Sequence, residues 1–362
     1  MLKGLLVSLT TFCLIFLCAE ILLRFLTVRN NDDWMAVDDV NPILRHFPNE
    51  IVTWSEGWWL GSPVERRSNN EGFLNDQDYI TEGKRPIISI IGDSYVQAMM
   101  VTYEETLYGR LAHRLSGTGR VYTFGISSAP ASQYLAWATH ARKKYDVDAL
   151  IFTVVGNDFN ESFYRNKKSG GLHYFSEQGE LVRYDLKPSF LRTIVLTPAL
   201  GRYLFYHLRV GHLPLFLQQL SPIEIEYFGN MPYQLSEAEE RDSIKAIDFF
   251  FDALPEQSGL PPNKITFVLD ALRPNIYNPH TMQQAEKSYW GRMRRRFTSV
   301  AKANGYEVID MNPVFVEHFQ QNGKRFEFET DGHWNSLGHQ LVFEELMKSR
   351  LLNQLLHKKT EY

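Results

Sequence analysis

From residue 86 onward, the chain alternates between short apolar runs and longer amphipathic stretches. Continuous apolar runs rich in β-branched residues are typical of strands that are buried on both faces, as in parallel sheets covered by helices. The predicted strands are Pro86–Ile91, Val121–Phe124, Ala149–Val155, Ile265–Leu269 and Tyr306–Asp310. Strand–helix alternation at this spacing predicts a doubly wound α/β fold, a flavodoxin-like three-layer α/β/α arrangement around a five-stranded parallel sheet.

The helices between these strands are predicted from periodicity and from capping signals. Thr102-Tyr-Glu-Glu105 has the capping-box pattern and predicts a helix that continues through Leu115. Ser236-Glu-Ala-Glu239 has the same pattern and predicts a helix that ends near Ala253. The remaining predicted helices are Gln133–Lys144, Met282–Ala303 and Leu337–Leu355.

The N-terminus carries an apolar segment of the length that crosses a bilayer. Gly4–Ala19 contains no charged residue, and the apolar run continues to Leu26, close to the roughly 20 residues that a transmembrane helix needs. Cleavage after Ala19 would place the bulky Leu17 where a signal peptidase prefers a small residue, so an uncleaved anchor is favoured. The predicted organisation is an anchor at 1–29, a juxtamembrane extension at 30–84 and a catalytic domain at 85–362.

A stretch of the catalytic domain, about residues 165–235, breaks the strand–helix alternation and is predicted to be an insertion. Leu172–Tyr184 has the pattern of a hairpin that turns at Gln178-Gly179. Apolar segments with interspersed prolines follow at Leu196–Val210 and Leu213–Leu220. We expect this insertion to cap either the sheet edge or the site.

Composition excludes several classes of protein. The net charge of −4 gives no electrostatic footprint for nucleic acid, and a hydrophobic content of 44% excludes global disorder. The only cysteines, Cys13 and Cys18, fall within the apolar segment, so the rest of the chain has neither a disulfide nor a thiolate metal site. Aromatic residues reach 14%, and we interpret the excess as a surround for the site and the membrane interface.

Polar clusters follow the predicted strands at the edge where parallel sheets bind ligands. Gly92-Asp93-Ser94-Tyr95, Gly125-Ile126-Ser127 and Gly156-Asn157-Asp158 come directly after the first three strands, and Asp331–Asn335 precedes the last helix. A serine hydroxyl is a weak nucleophile that needs an adjacent general base. We therefore predict Ser94 as the nucleophile, His333 as its base and Asp331 as the residue that orients the base.

An acyl-transfer site also needs donors for the oxyanion that develops on the substrate. The predicted donors are the backbone N–H groups of Ser94 and Gly125 and the side-chain amide of Asn157. Tyr95 and Trp334, which are neighbours of the nucleophile and the base, are predicted to contact substrate. His339 lies six residues after His333, but the spacing of nearby ligands does not fit a metal site, so no metal is predicted.

These blocks, taken in order, resemble the SGNH hydrolases, also called the GDSL esterase/lipase superfamily, and in particular its membrane-anchored bacterial members. The resemblance implies the α/β/α fold, ester chemistry without a cofactor, and a catalytic domain on the periplasmic or extracellular side. It carries the nucleophile onto Ser94, the oxyanion donors onto Gly125 and Asn157, and the base onto His333. The family acid usually lies three residues before the base, where this chain has Thr330; the carboxylate here is Asp331.

Three functions follow as alternatives. The first is a serine-dependent esterase that removes an acyl group, such as acetyl, from a carbohydrate or another ester outside the cytoplasm. The second is an O-acetyltransferase that modifies a cell-surface or exported polysaccharide, since a sugar hydroxyl can replace water as the acceptor. The third is a non-catalytic glycan-binding or assembly subunit with a degenerate site, which the unusual position of Asp331 leaves open. Flanking charges (Lys3 against Arg24 and Arg29) do not decide the membrane topology.

Overall fold

Helices and strands make up most of the part of the chain that the computed structural model describes, which is residues 2–30, 34–187, 189–208, 210, 227–228, 231–232, 234–273, 275–329 and 331–357. The predicted apolar segment 213–220 lies outside these residues. The elements up to the insertion are α1 (Leu2–Arg24), β1 (Ile51–Glu56), β2 (Gly61–Arg67), β3 (Ile87–Gly92), α2 (Ser94–Gln97), α3 (Leu107–Arg114), β4 (Arg120–Gly125), α4 (Ala131–Tyr145) and β5 (Ala149–Val154).

The second half of the chain contributes short elements first and longer helices later. Those of the insertion are β6 (His173–Phe175), β7 (Leu181–Arg183), α5 (Phe190–Leu196), α6 (Ala199–Arg202), a π-helical turn (Tyr203–His207), β8 (Tyr227–Phe228) and β9 (Met231–Pro232). Those after it are α7 (Glu237–Ser258), β10 (Ile265–Leu269), α8 (Pro279–Lys287), α9 (Tyr289–Ala303), β11 (Glu307–Asp310), α10 (Met311–Asn322), α11 (Ser336–Met347) and α12 (Arg350–His357).

The described residues form a five-stranded parallel sheet in the order β11-β10-β5-β3-β4. Numbered along the chain, this is the flavodoxin-like order 2-1-3-4-5. Side chains of β3 and β5 are buried throughout, as their nearly continuous apolar sequences predict. The fold class predicted from the sequence is confirmed, and the strand order places a switch point at β3, where ligands are expected to bind.

Helices cover the sheet in two groups. α4, α7 and α9 pack against one another, while α3 packs on α11, which also contacts α10 and α12. The crossover from β3 to β4 and the crossover from β4 to β5 run in opposite directions across the sheet, so right-handed connections place α3 and α4 on opposite faces. His339 of α11 is buried and accepts the backbone N–H of Leu107 at 3.2 Å, which joins α11 to the start of α3 and accounts for this histidine without a metal.

Several helix boundaries differ from the prediction, including the end of α7, which lies at Ser258 and not near Ala253. Thr102 begins only a 3₁₀ turn, and α3 starts after Thr106, whose hydroxyl accepts the Gly109 N–H at 3.0 Å. The helix predicted over 282–303 is divided at Ser288, which caps α9 by accepting the Gly291 N–H at 3.1 Å. The predicted closing helix is likewise divided into α11 and α12, and α10 was not predicted. The capping box at Ser236 and the hairpin at Gly179 are confirmed.

The N-terminal helix α1 is long and apolar enough to cross a membrane, and its apolar window is exposed. Its last turn nevertheless belongs to the fold, because Leu23 is buried in a cluster with Val28 and Ala199. The hairpin β1–β2 supports the region of the nucleophile: the buried Arg66 donates to the carbonyl oxygens of Ala98 (3.1 Å) and Val101 (3.0 Å).

The aromatic residues are distributed differently from the sequence interpretation. Many of them fill the core instead of surrounding a site. A group on one face of the sheet packs ring against ring, and it consists of Phe152, Phe250, Phe251, Phe267 and Phe297. Trp137, Trp290 and Trp334 are also buried, whereas Trp58 and Trp59 are exposed at the turn between β1 and β2.

Candidate active site

Ser94 stands at the carboxyl end of β3, as the first residue of the short helix α2. Asp93 caps this helix, with its carboxylate accepting the backbone N–H of Tyr95 at 3.0 Å. At the first helical position the Ser94 amide has no acceptor within its own helix, so its N–H is suited to an incoming oxygen. The turn from strand to helix thus presents both the Ser94 hydroxyl and its backbone N–H at the ligand-binding edge of the sheet.

His333 and Asp331 meet Ser94 at this edge. The His333 Nε2 lies 2.6 Å from the Ser94 Oγ, and the His333 Nδ1 is hydrogen-bonded to the Asp331 carboxylate. The structure therefore brings together three residues that are up to 239 positions apart in the sequence. Serine, imidazole and carboxylate in this relay have the geometry in which the imidazole removes the serine proton while the carboxylate fixes the tautomer and stabilises the imidazolium.

A local turn explains why an acid two residues before the base can reach it. The Asp331 Oδ1 accepts the backbone N–H of His333 at 2.8 Å, an Asx-type turn that folds the carboxylate back toward the imidazole ring. Burial opposes ionisation of Asp331, but hydrogen bonds from the His333 ring and backbone, together with the ring's charge, hold the pKa of this carboxyl below its ordinary 3.8. Asp331 is thus an anion across the neutral pH range.

The strands that flank β3 end in the other two predicted donors. β4 ends at Gly125, which is paired in register with Gly92 of β3. A Cβ atom at Gly125 would lie 2.7 Å from the Val96 Cβ, and one at Gly92 would lie 2.5 Å from the Val96 Cγ2. Glycine is therefore required at both positions because α2 packs directly on the strand ends. These two glycines thus allow α2, which carries the nucleophile, to pack closely on the ends of β3 and β4.

Asn157 follows β5, on the opposite side of β3 from Gly125. Its side-chain Nδ2 donates to Glu161 at 3.0 Å, and Glu161 is in turn paired with Lys167. An amide nitrogen carries two N–H groups. Within the described residues no other acceptor bonds the Asn157 nitrogen, so its second N–H is available for an oxyanion. The Glu161–Lys167 pair acts as a support that fixes the orientation of the amide.

Two buried carboxyls, Asp93 and Asp158, lie beneath these groups. Asp158 accepts the N–H of Val155 at 2.8 Å and the hydroxyl of Tyr134 at 2.7 Å, while the Asp93 Oδ2 lies 3.3 Å from the Ser94 Oγ. Burial raises the pKa of Asp93 to about 6, and burial together with the neighbouring Asp93 raises the pKa of Asp158 well above its ordinary value. Both carboxyls accept a backbone amide beside the site, Asp93 that of Tyr95 and Asp158 that of Val155.

Tyr95 and Trp334 are buried, which argues against the prediction that they contact substrate. The Tyr95 hydroxyl donates to the carbonyl oxygen of Gly332 at 3.0 Å, and the Trp334 Nε1 donates to Asp270 at 2.8 Å. The two rings also meet edge to face, with centroids 5.0 Å apart. The Tyr95 ring also lies 4.9 Å from the His333 ring, between centroids, so both buried side chains support the loop that carries the base.

Arg273, which the sequence interpretation missed, is at the centre of this support. Its guanidinium is buried and bonds Asp270 twice (2.7 and 3.1 Å), the Glu327 carboxylate (3.2 Å) and the Gly332 carbonyl oxygen (3.0 Å). Because Gly332 directly precedes His333, these bonds fix the backbone that carries the base. A signal was present: Asp270 follows β10 immediately, at the same sheet edge as the other polar clusters.

A cavity of about 740 Å³ begins immediately beyond Gly125. Ile126, Ser127 and Ser128 form one stretch of its wall, and Trp34 and Thr193 are among its other lining residues. Gln97 of α2 connects this wall to the nucleophile helix, since its Oε1 accepts the N–H (2.9 Å) and the hydroxyl (2.6 Å) of Ser127. The cavity thus lies next to the end of β4, where Gly125 is one of the predicted oxyanion donors.

No protein-family model and no curated protein matches this sequence. Solved structures to which the chain is similar include TesA, with 13% identity over 74% of this chain and 99% of that chain and a TM-score of 0.39. They also include a lipolytic protein of the G-D-S-L family from Veillonella parvula (12% identity, 72% and 96% coverage, TM-score 0.37) and the acetyl xylan esterase AlAXEase (11% identity, 72% and 98% coverage, TM-score 0.40).

Proposed function

We propose that this protein is a serine-dependent enzyme that cleaves acyl esters, with Ser94 as the nucleophile and His333 as the general base. The observation that carries the proposal is the continuous relay from the Ser94 Oγ through the His333 imidazole to the Asp331 carboxylate, with 2.6 Å between Oγ and Nε2. Asp331 lies two residues before His333 and not three, and this difference favoured a non-catalytic protein. The hydrogen bond between Asp331 and His333 supports a catalytic role instead.

The reaction follows from these positions. His333 Nε2 takes the proton of the Ser94 hydroxyl as Oγ attacks the ester carbonyl, and the negative charge that forms on the carbonyl oxygen is stabilised by N–H groups of Ser94, Gly125 and Asn157. The imidazolium then gives its proton to the departing alcohol, and the C–O ester bond breaks to leave an acyl-Ser94. Water, activated by His333, releases the acid and restores the serine.

For the substrate we propose an acylated carbohydrate, with acetyl as the simplest acyl group, outside the cytoplasm. The cavity beyond Gly125 is larger than an acetyl group requires, and its wall combines serine hydroxyls with the Trp34 ring, groups that suit a sugar. The helix α1 would anchor the enzyme in a membrane. A C-terminal reporter that is active only outside the cytoplasm tests the topology, and a signal from a cytoplasmic reporter would contradict it.

Labelling with a fluorophosphonate probe tests the nucleophile. The native chain should be labelled and should hydrolyse p-nitrophenyl acetate, and Ser94→Ala should lose both properties. Asp331→Asn should fold but lose roughly 10²–10⁴-fold in kcat, because the imidazolium loses its counter-charge. If the native chain takes up no probe, or if Ser94→Ala keeps its esterase activity, the proposal is wrong.

A second assay identifies the acceptor. Incubation with an acetylated polysaccharide should release free acetate, with Ser94→Ala as the matched control. Acetyl groups that appear instead on an added unmodified glycan would identify a transferase, in which a sugar hydroxyl takes the place of water. If the protein reacts with the probe at Ser94 but releases acetate from none of the glycans, the proposed carbohydrate substrate is wrong, and the proposed ester cleavage by Ser94 still stands.

A further inference from the structure

The insertion and the β1–β2 turn expose a group of large apolar side chains close to α1. We call this group the apolar patch; it consists of Trp58, Trp59, Phe190, Leu191, Ile194 and Val195. Trp58 is 67% exposed, and Phe190 and Leu191 are 80% and 70% exposed. Soluble monomers seldom expose so many large apolar residues together, so a patch of this kind indicates a contact with a partner or a membrane.

The α5 helix has two faces with different environments. Ser189 at its N-cap and Thr193 and Leu196 on one face line the 740 Å³ cavity, and Leu196 is buried. The opposite face, Phe190, Leu191, Ile194 and Val195, points away from the protein. Apolar residues confined to one face of a helix are typical of helices that lie at a lipid interface. α5 thus forms a roof whose inner side belongs to the cavity and whose outer side has no described contact within the protein core.

Direct bonds connect this region to the end of the apolar helix α1. Glu20 of α1 accepts the backbone N–H groups of Ala199 (3.2 Å) and Leu200 (2.8 Å) at the start of α6, the helix that follows α5. Tyr203, just beyond α6, donates its hydroxyl to the Trp58 carbonyl oxygen at 2.7 Å. His207 binds the Gly57 carbonyl oxygen at 2.9 Å. The helix α6 and the turn after it therefore tie both parts of the patch to the emerging end of α1.

We propose that the apolar patch docks on the surface of the lipid bilayer that holds α1. The bonds between α1, α6 and the patch favour a bilayer over a second protein as the occupant. If α1 is inserted in a bilayer, its last turn and the patch must both lie at the surface of that bilayer. Tryptophan is also the residue that prefers the interfacial region. The exposed basic side chains of Lys187 and Arg192 line the cavity that α5 covers, and basic groups close to a bilayer suit anionic headgroups.

A consequence concerns the cavity. With α5 on the bilayer, the roof of the cavity lies against lipid, and its opening is within reach of molecules held at the membrane surface. The inference goes beyond the ester chemistry and does not depend on it, since a protein with an inactive Ser94 would dock in the same way.

Fluorescence quenching in proteoliposomes tests the docking. The full chain, with Cys13 and Cys18 replaced by serine, receives a single new cysteine at Leu191→Cys, Ile194→Cys or Trp58→Cys and an environment-sensitive fluorophore. Vesicles of phosphatidylethanolamine and phosphatidylglycerol contain a lipid with a nitroxide on its acyl chain. We expect the three labels to be quenched at least about twofold more strongly than a control label, because interfacial helices insert their apolar face below the headgroups.

Ile80→Cys is the matched control. Ile80 is also an exposed apolar residue, but it lies beside the N-terminal half of β4, where its backbone N–H bonds the Tyr122 hydroxyl, at the opposite end of the sheet from Ser94. Equal quenching at all four positions would overturn the proposal. The proposal would also be overturned if labels at positions 191 and 194 were shielded from aqueous iodide but were not quenched by the lipid nitroxide. The apolar patch would then be covered by protein and not by lipid. Unchanged thermal unfolding of each variant in detergent verifies that the labels report on a folded chain.

Discussion

The loop that carries His333 and the helix α5 are both peripheral to the sheet, but they are held in different ways. In the loop, polar groups meet polar partners inside the protein: Gly332 receives two hydrogen bonds, from Arg273 and Tyr95. On α5, four large apolar side chains face outward. Buried hydrogen-bonded networks specify one geometry, whereas exposed apolar surface is stabilised by whatever covers it.

The two regions therefore differ in which contacts determine their conformation. The position of the base is a property of the folded chain alone, because every contact that fixes Gly332 comes from residues of the same domain. The outer face of α5 has no such partner among the described residues. If α5 docks on a bilayer as proposed, changes in the lipid should affect α5 and the cavity first, whereas changes to buried charges should affect the base first.

The largest effect is expected when the centre of the network is removed. Arg273→Met leaves Asp270 and Glu327 as buried carboxylates without their cation, which should lower the free energy of unfolding by about 3–5 kcal/mol. Gly332 also loses a donor, so kcat on p-nitrophenyl acetate should fall while KM changes little. Denaturation and steady-state kinetics below the unfolding transition measure the two effects separately.

A double variant distinguishes positioning from stability in this network. Arg273→Met combined with Asp270→Asn removes one unpaired charge and should recover part of the stability, but kcat should stay low because the Gly332 contact is still missing. Recovery of kcat in parallel with stability would contradict the role that we assign to Arg273 as a positioning residue for His333.

The fold was predictable from the sequence where one signal dominated. Ile265–Leu269 was predicted with the boundaries of β10, because a buried parallel strand is marked by a short run of apolar and β-branched residues. Helix starts were less predictable because two capping residues competed. Thr102 and Thr106 both precede the same helix, and only tertiary contacts decide that the Thr106 hydroxyl caps it.

The site was predictable to the extent that chain topology determines it. Ser94 and Asn157 could be placed together because the residues that end adjacent parallel strands must be neighbours. The role of Arg273 could not be predicted, since it depends on which side chains fill the space behind the loop. Adjacency in the sequence was misleading for Tyr95 and Trp334. Their positions next to Ser94 and His333 suggested contact with a ligand, but the structure shows that both side chains are buried.

A smaller effect is expected from the pH dependence of stability, which tests how deeply the nucleophile's side of the site is buried. The pKa of Asp93 is raised from 3.8 to about 6 by burial, so the folded chain holds this proton more tightly than the unfolded chain. Its contribution to stability is therefore lost as the pH rises from about 4 to about 6, at most about 3 kcal/mol. Asp93→Asn should remove this loss, and urea unfolding at pH 4.5 and 7.5 should reveal the difference.

Asp331 supplies a control of opposite sign. Its pKa is lowered in the folded chain, so its contribution is present above the ordinary carboxyl pKa and is lost as the pH falls. Asp331→Asn should thus reduce stability at pH 7.5 and become neutral in acid, while Asp93→Asn should be most favourable at pH 7.5. The same sign of pH dependence in both variants would contradict the burial that separates them.

The smallest effect should come from the outer face of α5, where one helix offers a matched pair of leucines. Leu191 is 70% exposed, and Leu196, on the cavity side, is 5% exposed. Leu191→Ala should change the free energy of unfolding in detergent by less than about 0.5 kcal/mol, as is usual for surface positions. Leu196→Ala should cost about 2–5 kcal/mol, because it removes most of a buried apolar side chain. Urea unfolding followed by hydrogen exchange of α5 amides measures both. A cost at Leu191 equal to that at Leu196 would mean that the outer face is packed against the protein itself, and the contrast between α5 and the His333 loop would then fail.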